Sequence, residues 1–312
     1  MQALKMLLPT EGGVSFLTPP MGLSTFAIGA AVASSLAWAG FDAARKGLSA
    51  RISTAPLVIV LMLGQCPVFI AWWAVTGFQP VQAGYWWPGT IDLVGNIVAN
   101  VLFIRAVRIG ELSTTIPLLS FTPAFTIVIA ALLLGELPGL WHIVGVVAVV
   151  LGAFVLNLPG RLDLAGWWAQ LRANRGGHLM ALVALVWSAT AALDKMALGF
   201  APVPFHALYQ CIGIAMTLVL YLAVTGGFGE FSKIRTEGFG LGGAIILAVC
   251  AMGMQLVAVQ HMYVALVEAF KRAIGMGAAM VNGRVFFGEK ATPAKLIGMA
   301  VMTLGVALIL LE

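Results

Sequence analysis

An all-α integral membrane fold, ten transmembrane helices built as two inverted copies of a five-helix unit, is what this sequence predicts, on three observations. The chain of 312 residues is 61% hydrophobic and 9% charged, with a mean hydropathy of +1.01, more apolar surface than a soluble core of that size can hide. Ten apolar stretches each reach the roughly 20 residues that a helix needs to cross about 30 Å of hydrocarbon. The pattern of those stretches also repeats itself once along the chain.

Residues 1–21 form an N-terminal surface segment. It has one lysine, an apolar run of only Met6 to Leu8 before Pro9 and no small-residue cleavage site, so it is expected at the membrane surface, entering the bilayer after Pro19 and Pro20. The first five-helix copy, residues 22–158, holds spans near 22–44, 54–76, 88–108, 112–134 and 139–158. A connector, residues 159–177, contains Trp167 and Trp168 with Arg161, Arg172 and Arg175. It reads as interfacial, rings at headgroup depth and guanidinium groups toward phosphate. The second copy, residues 178–312, holds spans near 178–199, 203–225, 239–262, 265–287 and 292–311.

The repeat rests on two blocks in the same order. Trp38, Lys46 and Ala74-Val75-Thr76-Gly77 recur at the same spacings as Trp187, Lys195 and Ala223-Val224-Thr225-Gly226. Gly135-Glu136, Gly145 and Gly152 recur as Gly288-Glu289, Gly298 and Gly305. Each copy has an odd number of spans, so the second must cross the membrane upside down relative to the first. That architecture serves alternating access around a site between the halves. Lys and Arg gather in the odd-numbered loops, which the positive-inside rule places in the cytoplasm with both termini outside.

Composition and motifs exclude several classes of function. The net charge of +5 is scattered over loops and helix ends without a continuous stripe, so no nucleic-acid partner is expected. Cys66, Cys211 and Cys250 lie in spans without metal-type spacing and read as packing residues. No phosphate loop, HExxH or carboxylate pair is legible, and neither a metal nor a cofactor is expected.

Polar residues inside the spans mark the candidate site. Lys271 and Arg272 sit in the ninth span, and a cation at mid-depth costs roughly 3 kcal/mol on insertion scales, so such a pair reads as functional. Glu268, three residues before Lys271, is its nearest local counter-charge. Asp92, Asn96 and Asn100 recur every four residues in the third span, forming one polar stripe. Asp92 is also placed near enough to the span's start to sit at the interface. Trp38 and Trp187 end the paired first and sixth spans, Lys195 follows Trp187, and Gln255 lies in the eighth span. Substrate binding is therefore assigned to Lys271, Arg272, Asn96, Asn100, Trp38, Trp187, Lys195 and Gln255. Glu136 and Glu289 each follow a glycine at a span's end and read as interfacial stops.

With LLLGELPG at residues 132–139 and FFGEK at 286–290, the chain resembles the drug/metabolite transporter superfamily, EamA type, over nearly its whole length. PLLSFTPAF at 117–125, LDK at 193–195 and FKR at 270–272 resemble the branch with a Lys-Arg pair in the ninth helix. The resemblance implies ten helices in two inverted repeats around a cavity lined mainly by helices 1, 3, 4, 6, 8 and 9. It also implies export of amino acids and other metabolites, or exchange of phosphorylated ones. Lys271-Arg272 is similar in type and place to the dipeptide that holds substrate phosphate in plastid phosphate translocators.

The expected function is a secondary transporter, not an enzyme, in a bacterial inner membrane. Its partners are a small organic solute, one with an anionic group among those considered, the lipid bilayer, and a proton or counter-substrate. Two alternatives stay open: a membrane enzyme acting on lipid headgroups, which needs clustered His, Asp or Glu at one membrane face, and a subunit of a lipid-export assembly.

Overall fold

The computed structural model describes residues 24–49, 51–109, 116–156, 175–226, 228, 231, 234, 237–287 and 292–311. The surface segment 1–21, most of the connector 159–177 and Glu289 lie outside the described residues. Ten α-helices occur within them: α1 (Thr25–Ser49), α2 (Thr54–Val75), α3 (Trp86–Ile109), α4 (Thr122–Leu134), α5 (Leu140–Leu156), α6 (Arg175–Leu198), α7 (Val203–Thr225), α8 (Gly238–His261), α9 (Val264–Phe287) and α10 (Pro293–Ile309). The described residues contain no strand.

Six helices, α1, α2, α3, α6, α7 and α8, are long and apolar enough to cross a membrane. Helices α4, α5 and α10 are apolar but shorter, and α9 has the length, 24 residues, but carries charge. Large apolar side chains such as Leu132, Leu137, Leu220 and Val224 stand exposed on the outer surface, an arrangement that suits lipid and would be a liability in water.

The fourth span departs from expectation. A continuous helix over 112–134 is predicted, whereas the α-helix begins only at Thr122 and is preceded by a 3₁₀ turn, Ile116–Phe121. Pro117 and Pro123 account for the break, since each lacks an N–H and its ring clashes with the carbonyl one turn back. At its other end α4 stops on Gly135, whose φ of +68° is left-handed, a conformation that glycine adopts without steric cost.

Helix pairing follows a reciprocal rule. Helix α1 packs on α8 and α9, while α6 packs on α3 and α4; α2 packs on α7, α4 on α9, and α5 on α10. Exchanging each helix with the one five places along the chain returns the same set of pairs. The closest seam is α5 against α10. A Cβ built on Gly145 would lie 2.6 Å from the carbonyl oxygen of Gly305, and one on Gly305 would lie 2.6 Å from that of Gly145. Gly152 and Gly298 stand in the same mutual relation, again at 2.6 Å. Early residues of one helix meet late residues of the other, so the two run antiparallel, backbone against backbone, as small residues allow in lipid.

Gly152→Val should therefore separate this seam, because backbone cannot yield as a flexible side chain does. A loss of about 3 kcal/mol or more is expected, at the upper end of overpacking costs. Denaturation of the purified protein in detergent measures it, and an unchanged midpoint would mean the two backbones are not in contact.

Candidate functional site

Among the described residues, three polar clusters, partly or fully buried, join the helices, and each is assembled from residues far apart in sequence.

The first lies among α1, α8 and α9. Helices α1 and α8 run antiparallel, tied where Ser34 Oγ donates to the Ala251 carbonyl at 2.9 Å. One turn further along α1, Trp38 Nε1 donates to Gln255 Oε1 at 2.7 Å. Lys271 lies seven residues into α9, roughly 10 Å from its start. Its Nζ donates to Glu268 Oε1 at 2.9 Å and to Gln255 Oε1 at 3.4 Å, and stands 5.7 Å from the centroid of the Trp38 ring. The i, i+3 spacing sets Glu268 beneath Lys271 on one helix face, and Glu268 is buried. Arg272 points about 100° away around the helix, in the field of Glu268 and Asp42. Asp42 is itself paired with Arg45 at 2.9 Å. Two cations on α9 thus share one carboxylate of their own, leaving one positive charge in excess.

The second cluster closes one end of the bundle. Glu136, at the end of α4, pairs with Lys195 near the end of α6, and Lys195 Nζ also donates to the Met262 carbonyl at 2.8 Å. The other Glu136 oxygen accepts the N–H of Val264, the first residue of α9, at 3.0 Å. A carboxylate there satisfies one of the helix's free N–H groups and complements its dipole. The side chains are 7% exposed for Glu136 and 17% for Lys195. Glu136 is expected as an interfacial stop and is found instead as a buried junction of α4, α6 and α9, because the two oxygens of its carboxylate meet donors from two other helices.

The third cluster lies among α3, α6 and α7. His206 Nε2 is 2.9 Å from Asp194 Oδ1 and 3.8 Å from Asp92 Oδ2, and Tyr85 Oη is 3.0 Å from His206 Nδ1. Asp92 accepts from Asn96 Nδ2 at 3.0 Å and from Gln210 Nε2; Gln210 also donates to the Gly89 carbonyl at 3.3 Å. Asp92 and His206 are fully buried. The sequence shows no carboxylate pair, yet Asp92 and Asp194 meet here; helix packing across α3 and α6 creates the pair, which no local spacing encodes. Asp92 is accordingly enclosed by protein and does not face the headgroups directly.

Of the residues assigned to substrate binding, Trp38, Gln255, Lys271 and Arg272 share the first cluster. Lys195 stands in the second, held by the protein's own carboxylate and carbonyl. Asn96 belongs to the third, while Asn100 is exposed and donates to the Asn96 carbonyl at 2.7 Å. Trp187 packs on Phe103, ring centroids 5.7 Å apart, in the α3–α6 seam. Glu136, Asp194 and His206 were missed by residue pattern. His206 and Gln210 at i and i+4 on α7, matching Asp92 and Asn96 on α3, are the signal that points to the third cluster.

Residues 25–158 match the EamA-like transporter family. No curated relative matches the chain. A solved crystal structure of a protein superposes with a TM-score of 0.70 at 16% identity, covering 93% of this chain and 99% of its own, a likeness of fold. With six helices long and apolar enough to span a membrane and an EamA-like first half, the chain is an integral, multi-pass membrane protein.

Proposed function

We propose that this chain, EamA-like over its first half, is a secondary transporter of the drug/metabolite type that moves a small organic solute bearing an anionic group. The observation that carries the reading is Lys271, held inside α9 against Trp38 and Gln255, with Arg272 beside it and one positive charge in excess. A buried cation costs several kcal/mol unless paired or put to use, and the guanidinium fork fits a carboxylate or phosphate. In this reading Lys271 is the anchored cation, fixed by Glu268, and Arg272 meets the substrate anion.

Alternating access is supported by the reciprocal pairing of helices and by the mutual Gly145–Gly305 and Gly152–Gly298 contacts. These are the relations that a two-fold axis in the membrane plane, superposing residues 22–158 on 178–312, would produce. Solute then reaches the α1–α8–α9 cluster from one side at a time, as an exporter or exchanger in an inner membrane.

The membrane-enzyme alternative called for clustered His, Asp or Glu, and the third cluster supplies one. Its Asp92 and His206 are fully buried and hydrogen-bonded to the protein itself, which speaks for an internal role over attack on a headgroup.

The test is purified protein in liposomes, assayed for uptake and efflux of a radiolabelled panel of amino acids, hydroxy acids, keto acids and phosphorylated metabolites. Saturable movement of an anionic member is expected. Chemical turnover without translocation, or a preference for organic cations, would overturn the proposal.

A further inference from the structure

The α3–α6–α7 cluster is separate from the cationic site and has a charge problem of its own. With the imidazole neutral, Nε2–H donates to Asp194 Oδ1, and Nδ1 accepts the Tyr85 hydroxyl, at the 2.9 Å and 3.0 Å already given. Asp92 uses one oxygen for Asn96 and the other for Gln210. Two carboxylates then remain, with one oxygen of each and His206 Nε2 all within 4.8 Å of one another. No lysine or arginine joins this network among the described residues. The nearest in sequence, Lys195, is turned to Glu136 on α4. The titratable groups facing the pair are Tyr85 from the turn before α3, Asp194 from α6, and His206 and Tyr209 from α7. Two negative charges so close in a low-dielectric interior call for a bound cation.

We infer that this cation is a proton: Asp92 and Asp194 share one exchangeable proton beside His206, and the cluster is the coupling-ion site of the transporter proposed above, on which reading the coupling role rests. A divalent ion about 2.0–2.1 Å from each donor would hold neighbouring donors roughly 3.3 Å apart, whereas Nε2 and Oδ1 stand at hydrogen-bond distance, 2.9 Å. Binding takes the carboxyl pair from a charge of minus two to minus one, with no other bond made or broken.

Access and release follow from position. Asp194 is 15% exposed, while Asp92 and His206 are sealed, so protons enter by way of Asp194 at the end of α6. Asp92 comes from the first copy, whereas Asp194, His206 and Gln210 come from the second. Movement of one half against the other therefore draws Asp92 from Gln210 and Asp194, admits water, and frees the proton. The site is unpaired within the repeat. Arg45 stands where the second copy has Asp194, so the proton is handled on one side of the two-fold relation and the anion on the other. Intramembrane Asp–His groups serve as proton relays in pumps and transporters on the same physical grounds.

Infrared titration of the purified protein in lipid tests proton binding without any substrate. A protonated-carboxyl C=O band is expected that shifts in D₂O, shifts again when aspartate is ¹³C-labelled, and disappears as pH rises. It should be absent from Asp92→Asn and Asp194→Asn and present in Arg51→Gln, whose side chain is exposed and outside the cluster. If the Asn variants do not fold, the ¹³C shift in the wild type decides the matter alone. A wild type without the band overturns the site, as does a band that survives both Asn changes. Saturable, Asp194-dependent binding of zinc chloride in calorimetry, abolishing the band, would make the site a metal site and overturn it as well. In the liposome assay with the same panel, a pH gradient of one unit should change solute accumulation about tenfold for one coupled proton, and Asp194→Asn should remove that response. Indifference of the wild type to the gradient overturns the coupling role. If no solute moves at all, it is the transporter reading that fails, and the infrared band still decides the proton site.

Discussion

Lys271→Gln and Arg272→Gln should each lower transport of an anionic solute by roughly 10- to 100-fold, the equivalent of losing a charge-assisted hydrogen bond of about 1.5–3 kcal/mol. The two losses differ in kind. Lys271 is bound to Glu268 and Gln255 and stands over Trp38, so its removal also leaves a buried carboxylate without its cation, and folded yield should fall. Adding Glu268→Gln to Lys271→Gln should recover the yield but not the transport. Arg272→Gln removes the charge proposed to meet the substrate and should act chiefly on transport. Arg51→Gln serves as the control. Arg51 pairs with Glu237 at 2.9 Å with its own side chain 69% exposed, and pairs with an exposed partner contribute little. Liposome flux, normalised to monodisperse protein, is the measurement. Normal flux in both α9 variants would mean that Lys271 and Arg272 anchor the helix and do not bind substrate.

Lys195→Met should destabilise the protein by about 3–5 kcal/mol, because it leaves the Glu136 carboxylate charged and unpaired in a dry interior. The effect is large for one surface-distant substitution because Glu136 cannot turn to water. Its second oxygen is held by the Val264 N–H at 3.0 Å, which fixes the start of α9 and with it the depth of Lys271. Glu136→Gln combined with Lys195→Met should regain most of the loss, since the double change removes both buried charges and keeps an acceptor for the N–H. Chemical denaturation in detergent micelles compares the three variants. Equal stability of Lys195→Met and wild type would show that the Glu136–Lys195 pair is hydrated, and the bundle end open.

Hydropathy located the helices well because crossing hydrocarbon is a local demand: every backbone group must be satisfied within the span, over a fixed length. The seventh and eighth spans fall at Val203–Thr225 and Gly238–His261, within a residue of expectation. The fourth does not, since Pro117 and Pro123 break a stretch that is free of charged residues throughout. The candidate site was legible in part for a related reason. A Lys-Arg pair inside an apolar span stands out against its own neighbours in the chain, and Glu268 lies at the helical spacing that pairs with Lys271.

By itself, then, the sequence determined that this is a multi-helix membrane protein, that short motifs recur in it at equal spacings, and that a Lys-Arg pair lies within one of its apolar stretches. All of these are properties of continuous stretches or of spacings conserved between two stretches. Only the tertiary structure decided that Trp38 and Gln255 gather around Lys271, that Glu136 and Lys195 are a buried junction, and that Asp92, Asp194 and His206 form one cluster. Each of those contacts joins helices distant in the chain. Which face of a uniformly apolar helix turns inward is set by packing against its neighbours, since lipid offers no polar contrast that would write that choice into a periodic pattern.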